Sequence, residues 1–96
     1  MIPEDVGACY REGVDLCNLK RYEESLKAYE KAIKLNPKYA DAWVGKGNAL
    51  GLLNKHEKSL KAYDRAIELN PKNADAWVGK GTALGLLNKY DEALKA

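Results

Sequence analysis

Apolar side chains recur three or four residues apart along almost the whole chain, which is the period of an amphipathic helix. In the middle of the chain Trp43, Leu50 and Leu53 belong to one such stripe, and Leu60 begins another. The pattern therefore predicts an all-α protein. It places six helices, the last one short, at about residues 5–19, 22–35, 39–53, 56–69, 73–87 and 89–96.

Residues that favour turns separate the predicted helices. Asn54 and Asn88 interrupt the apolar pattern, and asparagine tolerates the left-handed conformation that often ends a helix. Asn70 precedes a proline, which disfavours the helical conformation in the residue before it. Asp41 stands at the start of a predicted helix, where a carboxylate interacts favourably with the helix dipole. The helices are thus expected to form short antiparallel hairpins.

The sequence repeats itself with an offset of 34 residues. Residues 40–62 and 74–96 differ at only five of 23 positions, and shorter matches extend the same offset toward the N-terminus. A 34-residue period is typical of helical repeat proteins. The repeat divides the chain into a lead-in over residues 1–5, complete repeats over 6–39 and 40–73, and a partial third repeat over 74–96.

Glycine also recurs with this period, at Gly13, Gly47 and Gly81. Inside a helix glycine costs about 1 kcal/mol relative to alanine, so a periodic glycine needs a structural reason. We expect close approach of neighbouring helices, with a large side chain of one filling the space that the glycine leaves on the other.

The repeated residues resemble the tetratricopeptide repeat, and the resemblance extends over about residues 6–96. The positions of its pattern are occupied in the second repeat by Trp43, Gly47, Leu50, Ser59, Tyr63, Ala66 and Pro71. Departures from the family pattern are Cys9 in the tryptophan position, Lys46 and Lys80 where the family favours Leu, and Leu50 and Leu84 where it favours Tyr. The resemblance implies a right-handed α-solenoid of antiparallel helix hairpins.

The resemblance also implies a concave groove, lined by the first helix of each hairpin, that binds a protein partner. Val44, Val78 and Leu52 are apolar where exposure is expected, and Gly45 and Gly79 leave room near the backbone. An extended peptide or a partner helix suits such a groove, although these side chains could instead support the helix stack. The candidate groove residues are Tyr10, Val14, Asp41, Val44, Asn48, Leu52, Asp75, Val78, Thr82 and Leu86.

One subclass of the family fits poorly. Tetratricopeptide domains that grip the acidic C-terminal tails of heat-shock chaperones use lysine, arginine and asparagine side chains. Here the corresponding positions carry Tyr10, Val14, Gly45, Asp75 and Gly79, and Asp75 would repel a carboxylate. A chaperone-tail clamp is therefore not expected.

Composition and charge disfavour other functional classes. Sixteen basic and 14 acidic residues give a net charge of +2 and no concentrated basic stripe, which argues against nucleic acid as a partner. A helical-repeat RNA binder remains a remote alternative. No motif for a nucleophile, a metal or a phosphate-binding loop is present, so neither an enzyme nor a cofactor is expected. His56 is expected to pack within a hairpin, and Trp43 and Trp77 within the core.

The cysteines and the absence of long apolar runs bear on location. Cys9 and Cys17 are eight residues apart on one predicted helix, about 12 Å, which is too far for a disulfide. Free thiols and the lack of a membrane span or signal peptide indicate a cytoplasmic protein.

The third repeat raises the possibility of self-association. Solenoids usually shield their last apolar face with an atypical terminal repeat, and Leu84, Leu87 and Leu94 lack such a cover. The chain is therefore expected to be a fragment of a longer array, a homo-oligomer through this exposed end, or both. Two functions stay open: a scaffold that binds a protein segment in its groove, and a structural module that assembles with itself.

Overall fold

A computed structural model describes residues 5–95, which form five α-helices and no strand. The described chain is elongated, with principal extents of 57 × 28 × 17 Å. Successive helices pack antiparallel to one another, so the all-α solenoid prediction is confirmed. The helices are α1 (Val6–Asn18), α2 (Tyr22–Leu35), α3 (Ala40–Leu52), α4 (His56–Leu69) and α5 (Ala74–Lys95).

Local side chains determine where the helices begin and turn. The Asp5 carboxylate caps α1 by accepting a hydrogen bond of 2.6 Å from the backbone N–H of Ala8. Lys20 and Asn54 adopt left-handed backbone conformations, with φ of 63° and 64°, between the two helices of the first and second hairpins. The turn predicted at Asn54 is therefore confirmed.

The third predicted hairpin does not form, and the prediction of separate helices at 73–87 and 89–96 is wrong. Asn88 occupies the position of Asn54, yet it lies within the continuous helix α5. After Asn54 the chain buries His56 and Ser59, whereas residues 88–95 are all exposed. Since no burial offsets the cost of a left-handed residue at Asn88, the backbone retains its helical hydrogen bonds.

A buried serine and a buried tyrosine hold each closed hairpin together. Ser25 Oγ donates to the Gly13 carbonyl at 2.6 Å, and Ser59 Oγ donates to the Gly47 carbonyl at 2.7 Å. The close approach predicted at Gly47 is confirmed, because a Cβ there would lie 2.6 Å from Cε1 of Tyr63. The same contact joins Gly13 and Tyr29, whereas Gly81 has nothing within 4 Å.

The two tryptophans differ in environment. Trp43 is partly buried and packs beside a cluster formed by Val44, Tyr63, Ala66 and Ala76. Trp77 is 50% exposed, so its assignment to the core is wrong, although its Nε1 donates a hydrogen bond of 2.7 Å to the Pro71 carbonyl. The difference arises because α4 covers α3, whereas no described helix covers the same side of α5.

His56 and the two cysteines lie where the sequence placed them. His56 is buried at the start of α4, and its ring centroid lies 5.6 Å from that of Tyr90. Cys9 is buried, Cys17 is partly exposed, and both are free thiols. Within residues 5–95 no helix combines the length and the apolar character needed to cross a membrane.

Candidate functional site

The first helices of the three repeats, α1, α3 and α5, form the walls of a groove that runs along one side of the solenoid. Two adjoining cavities of about 490 and 420 Å³ occupy it. They share five residues, Cys17, Asn48, Tyr63, Gly79 and Thr82, and so form one continuous groove.

Nine of the ten predicted groove residues line these cavities. The larger cavity contains Tyr10, Val14, Val44, Asn48, Asp75, Val78 and Thr82, and the smaller one adds Leu52 and Leu86. Asp41 is exposed at the start of α3 and lies outside both cavities as the described residues form them. The helical register read from the repeat thus brings the predicted residues together, although their role in binding stays a prediction.

Exposure separates these apolar residues into two kinds. Val78 is 69% exposed and Leu52 is 50% exposed, so both can contact a partner. Val44 is only 8% exposed and belongs to the core cluster with Tyr63 and Ala76. The expectation that Val44 is an exposed groove residue is therefore wrong, because α4 and α5 both pack against its side chain.

Two tyrosines from the second helices form the floor of the groove, and neither was among the predicted groove residues. Tyr29 and Tyr63 are buried, and both line the larger cavity. Tyr63 lies between Gly47 and Gly79, where a Cβ on either glycine would collide with its ring. The recurrence of tyrosine with the same 34-residue period as the glycines was the available signal.

This arrangement corrects the interpretation of Gly45 and Gly79. Both were expected to leave space for a partner close to the backbone. Instead the ring of Tyr29 fills the space at Gly45, and the ring of Tyr63 fills it at Gly79. These glycines therefore serve internal packing, and the groove floor presents tyrosine side chains rather than bare backbone.

Two polar side chains are oriented toward the groove. The Tyr63 hydroxyl donates to Oδ1 of Asn48 at 2.5 Å, which leaves the amide N–H groups of Asn48 as donors. Thr82 Oγ1 donates to the Val78 carbonyl at 3.0 Å, so its lone pairs can still accept. A donor on α3 and an acceptor on α5 therefore line the same groove, which suits the alternating polar groups of a peptide backbone.

The groove carries negative charge near its tyrosines. Asp75 is the one ionised residue among those that line the larger cavity. Burial raises the pKa of Tyr10, and the nearby carboxylates of Asp41 and Asp75 raise it further. Burial also raises the pKa of Tyr29 to about 12. These hydroxyls thus stay protonated at neutral pH, and the fixed charge of this end of the groove is acidic.

The residues that line the groove include one thiol and few candidate metal ligands. Among the described residues, no group of three or more His, Cys, Asp or Glu side chains could hold a metal ion. Cys17 lines both cavities as a single thiol. The residues brought together are apolar, aromatic and hydrogen-bonding, a composition suited to binding a polypeptide.

Comparison with solved structures finds close agreement in fold. The chain aligns with TM-scores of 0.85, at 25% identity, to the first TPR of Spaghetti (RPAP3) bound to the HSP90 peptide SRMEEVD, covering 88% of this chain and 67% of that one. It aligns equally well to the Arabidopsis OM64 TPR domain, at 25% identity, covering 92% and 73% of the two chains. MamA aligns with a TM-score of 0.84 at 28% identity, over 95% of this chain and 53% of that one.

Sequence comparison gives the family. The chain is 46% identical over 44 residues to an uncharacterised protein of Methanocaldococcus jannaschii, which covers 46% of this chain. It spans about half, 51%, of the length of that curated relative. Three family matches, each described as a tetratricopeptide or TPR repeat, cover residues 40–73, 13–53 and 62–95. Together these matches extend over most of the chain, which belongs to the tetratricopeptide repeat family.

Proposed function

We propose that this protein is a non-catalytic scaffold whose groove binds a peptide or a helix of a partner protein. The observation that carries this proposal is the combination of exposed apolar side chains with oriented polar groups in one groove. Val78 and Leu52 offer apolar contact, and Asn48 and Thr82 offer hydrogen bonds to a backbone. A bound segment would bury the first pair while pairing with the second.

The charge of the groove narrows the class of partner. Asp75 lines it, and Asp41 lies close enough to act on Tyr10, so a lysine or arginine on the bound segment would be attracted to this end. The peptide bound by the first TPR of Spaghetti carries three acidic residues, SRMEEVD. An acidic tail of that kind would meet repulsion here, and we therefore favour a basic, apolar segment.

Fluorescence anisotropy with two labelled peptides tests this proposal. The first peptide is a 12-residue sequence of alternating leucine and lysine, and the second replaces each lysine with glutamate. We expect the lysine peptide to bind and the glutamate peptide not to bind. Val78→Arg should weaken binding of the lysine peptide by roughly tenfold or more, because a buried apolar contact becomes a repelling charge.

Matched variants separate groove binding from non-specific attraction. Leu19→Arg adds the same charge at a residue that is 66% exposed and lines neither cavity of the groove, so it should leave affinity unchanged. Asp75→Lys should reduce the preference for the lysine peptide. If Val78→Arg and Leu19→Arg lower affinity equally, or if both peptides bind alike, the groove assignment is refuted. Val44→Arg is unsuitable, since it would place a charge in the core.

We also place this scaffold in the cytoplasm. The support is chemical: Cys9 and Cys17 are both free thiols, and a reducing compartment keeps thiols in that state.

A further inference from the structure

The side of α5 that faces away from the groove carries an uncovered apolar stripe. In α3 the corresponding side is packed against α4, and Leu50 is only 4% exposed. Its counterpart Leu84 is 42% exposed, and Leu94 further along α5 is 86% exposed. A Cβ at Gly81 or at Gly85 would meet nothing within 4 Å. A surface that the second repeat buries is therefore open on the third.

The stripe has the spacing of a helix–helix seam. Its residues follow one another at intervals of three and four, which keeps them on one side of a helix that pairs with another. Four of the six are apolar, and the two charged ones carry opposite signs. The stripe residues are Trp77, Lys80, Leu84, Leu87, Asp91 and Leu94.

This seam is complementary to itself in the antiparallel direction. We consider a second α5 that runs antiparallel to the first, with the two-fold axis between Leu84 and Leu87. Leu84 of each copy then lies opposite Leu87 of the other copy. The same register places Lys80 opposite Asp91 and Trp77 opposite Leu94, and two-fold symmetry makes each pairing occur twice. The parallel direction would instead bring like charges together at Lys80 and at Asp91.

We propose that two copies of this chain associate through antiparallel pairing of their α5 stripes. Lys80 is already directed along this side, since its Nζ lies 2.8 Å from Oδ1 of Asp64 and 5.6 Å from the centre of the Trp77 ring. It would lie between Asp64 of its own copy and the second copy's aspartate. Asp91 is exposed, so its charge is accessible to a lysine of a second copy.

The association goes beyond groove binding and leaves the groove open. At 100° per residue, the groove residues Val78 and Thr82 lie on roughly the opposite side of α5 from Leu84 and Asp91. Each copy of the dimer would therefore present its own groove. Loss of peptide binding and loss of dimerisation can then be measured separately on the same protein.

Light scattering across a concentration series tests the pairing through a charge exchange. The unaltered chain should rise from 10.7 kDa toward twice that mass. Lys80→Glu and Asp91→Lys should each raise the dissociation constant by roughly tenfold or more, because each creates like-charge pairs. The double variant Lys80→Glu with Asp91→Lys should restore dimerisation, since it re-forms both opposite-charge pairs with their order reversed.

The repeat supplies a control for each single change. Lys46→Glu removes the equivalent intrachain pair on α3, where Lys46 Nζ lies 3.5 Å from Oε2 of Glu30, and Glu57→Lys alters the counterpart of Asp91 on α4. Neither control should change the mass, and circular dichroism should show native helicity in all variants. A mass of 10.7 kDa at every concentration would overturn the proposal. So would association that survives both single reversals, or a double variant that stays monomeric.

Discussion

Alanine at Gly47 and at Gly81 should change stability in opposite directions, although the two glycines occupy the same position of the repeat. At Gly47 a Cβ would lie 2.6 Å from Cε1 of Tyr63 and 2.8 Å from its Cδ1 and Cζ. At Gly81 the same Cβ would meet nothing within 4 Å. The pair therefore isolates the effect of packing from the effect of helix propensity.

The magnitude follows from two opposing contributions. Replacing a helical glycine with alanine stabilises a helix by about 1 kcal/mol, and this gain applies at both sites. Overpacking costs about 1–3 kcal/mol, and it applies only at Gly47. The Tyr63 ring has little room to move away from Gly47, because the same ring also lies against Gly79. We expect Gly47→Ala to lower the free energy of unfolding by about 1 kcal/mol and Gly81→Ala to raise it by about 1 kcal/mol.

Thermal unfolding followed by circular dichroism measures this difference. For a chain of this size 1 kcal/mol shifts Tm by about 4–8 °C, so the two variants should differ in Tm by about 8–16 °C. The measurement belongs at a low concentration where the chain is monomeric, because a second copy near Gly81 would add its own contribution. If both variants raise Tm alike, Tyr63 is not wedged between the two glycines and the packing argument fails.

Three further variants probe single interactions. Ser59→Ala should lower the free energy of unfolding by about 1 kcal/mol by removing the buried hydrogen bond to the Gly47 carbonyl, whereas Ala93→Ser, at the equivalent exposed position, should leave urea denaturation unchanged. His56→Tyr should raise Tm, because the buried Nε2 of His56 has no partner among the described residues, and an unpaired buried polar atom costs about 1–3 kcal/mol. Tyr29→Phe should reduce the dependence of the free energy of unfolding on pH in alkali. Folding raises the pKa of Tyr29 from 10.0 to about 12. The neutral hydroxyl therefore contributes stability that is complete below pH 10 and is lost as the pH rises through 12. Urea denaturation between pH 9 and 12 checks this, and an unchanged slope in Tyr29→Phe would contradict it.

The repeat was sufficient to predict most of the architecture. The 34-residue offset correctly predicts the hairpins of the first two units, and the register of Val78 and Thr82 on α5 predicts which side faces the groove. Nine of the ten predicted groove residues accordingly line it. These features depend on the position of a residue in its own helix, which the sequence pattern contains.

Features that depend on neighbours from other units could not be predicted in the same way. Asn54 and Asn88 occupy one position, but only the first is followed by residues that become buried. Val44 and Val78 also occupy one position, yet their exposures are 8% and 69%. Identical local sequence therefore yields different structure wherever stability comes from tertiary contacts rather than from helix propensity.

The same dependence on neighbours links the two proposed surfaces. In a linear stack each unit contacts only the units beside it, so its exposed area is set by which neighbours are present. The groove stays exposed along the whole stack, because α1, α3 and α5 form its walls on the side of the stack opposite to α2 and α4. The α5 stripe is exposed only where no following helix covers it, so its accessibility depends on what packs against α5. A segment that covered α5 as α4 covers α3 would therefore abolish pairing between copies while leaving peptide capture in the groove intact.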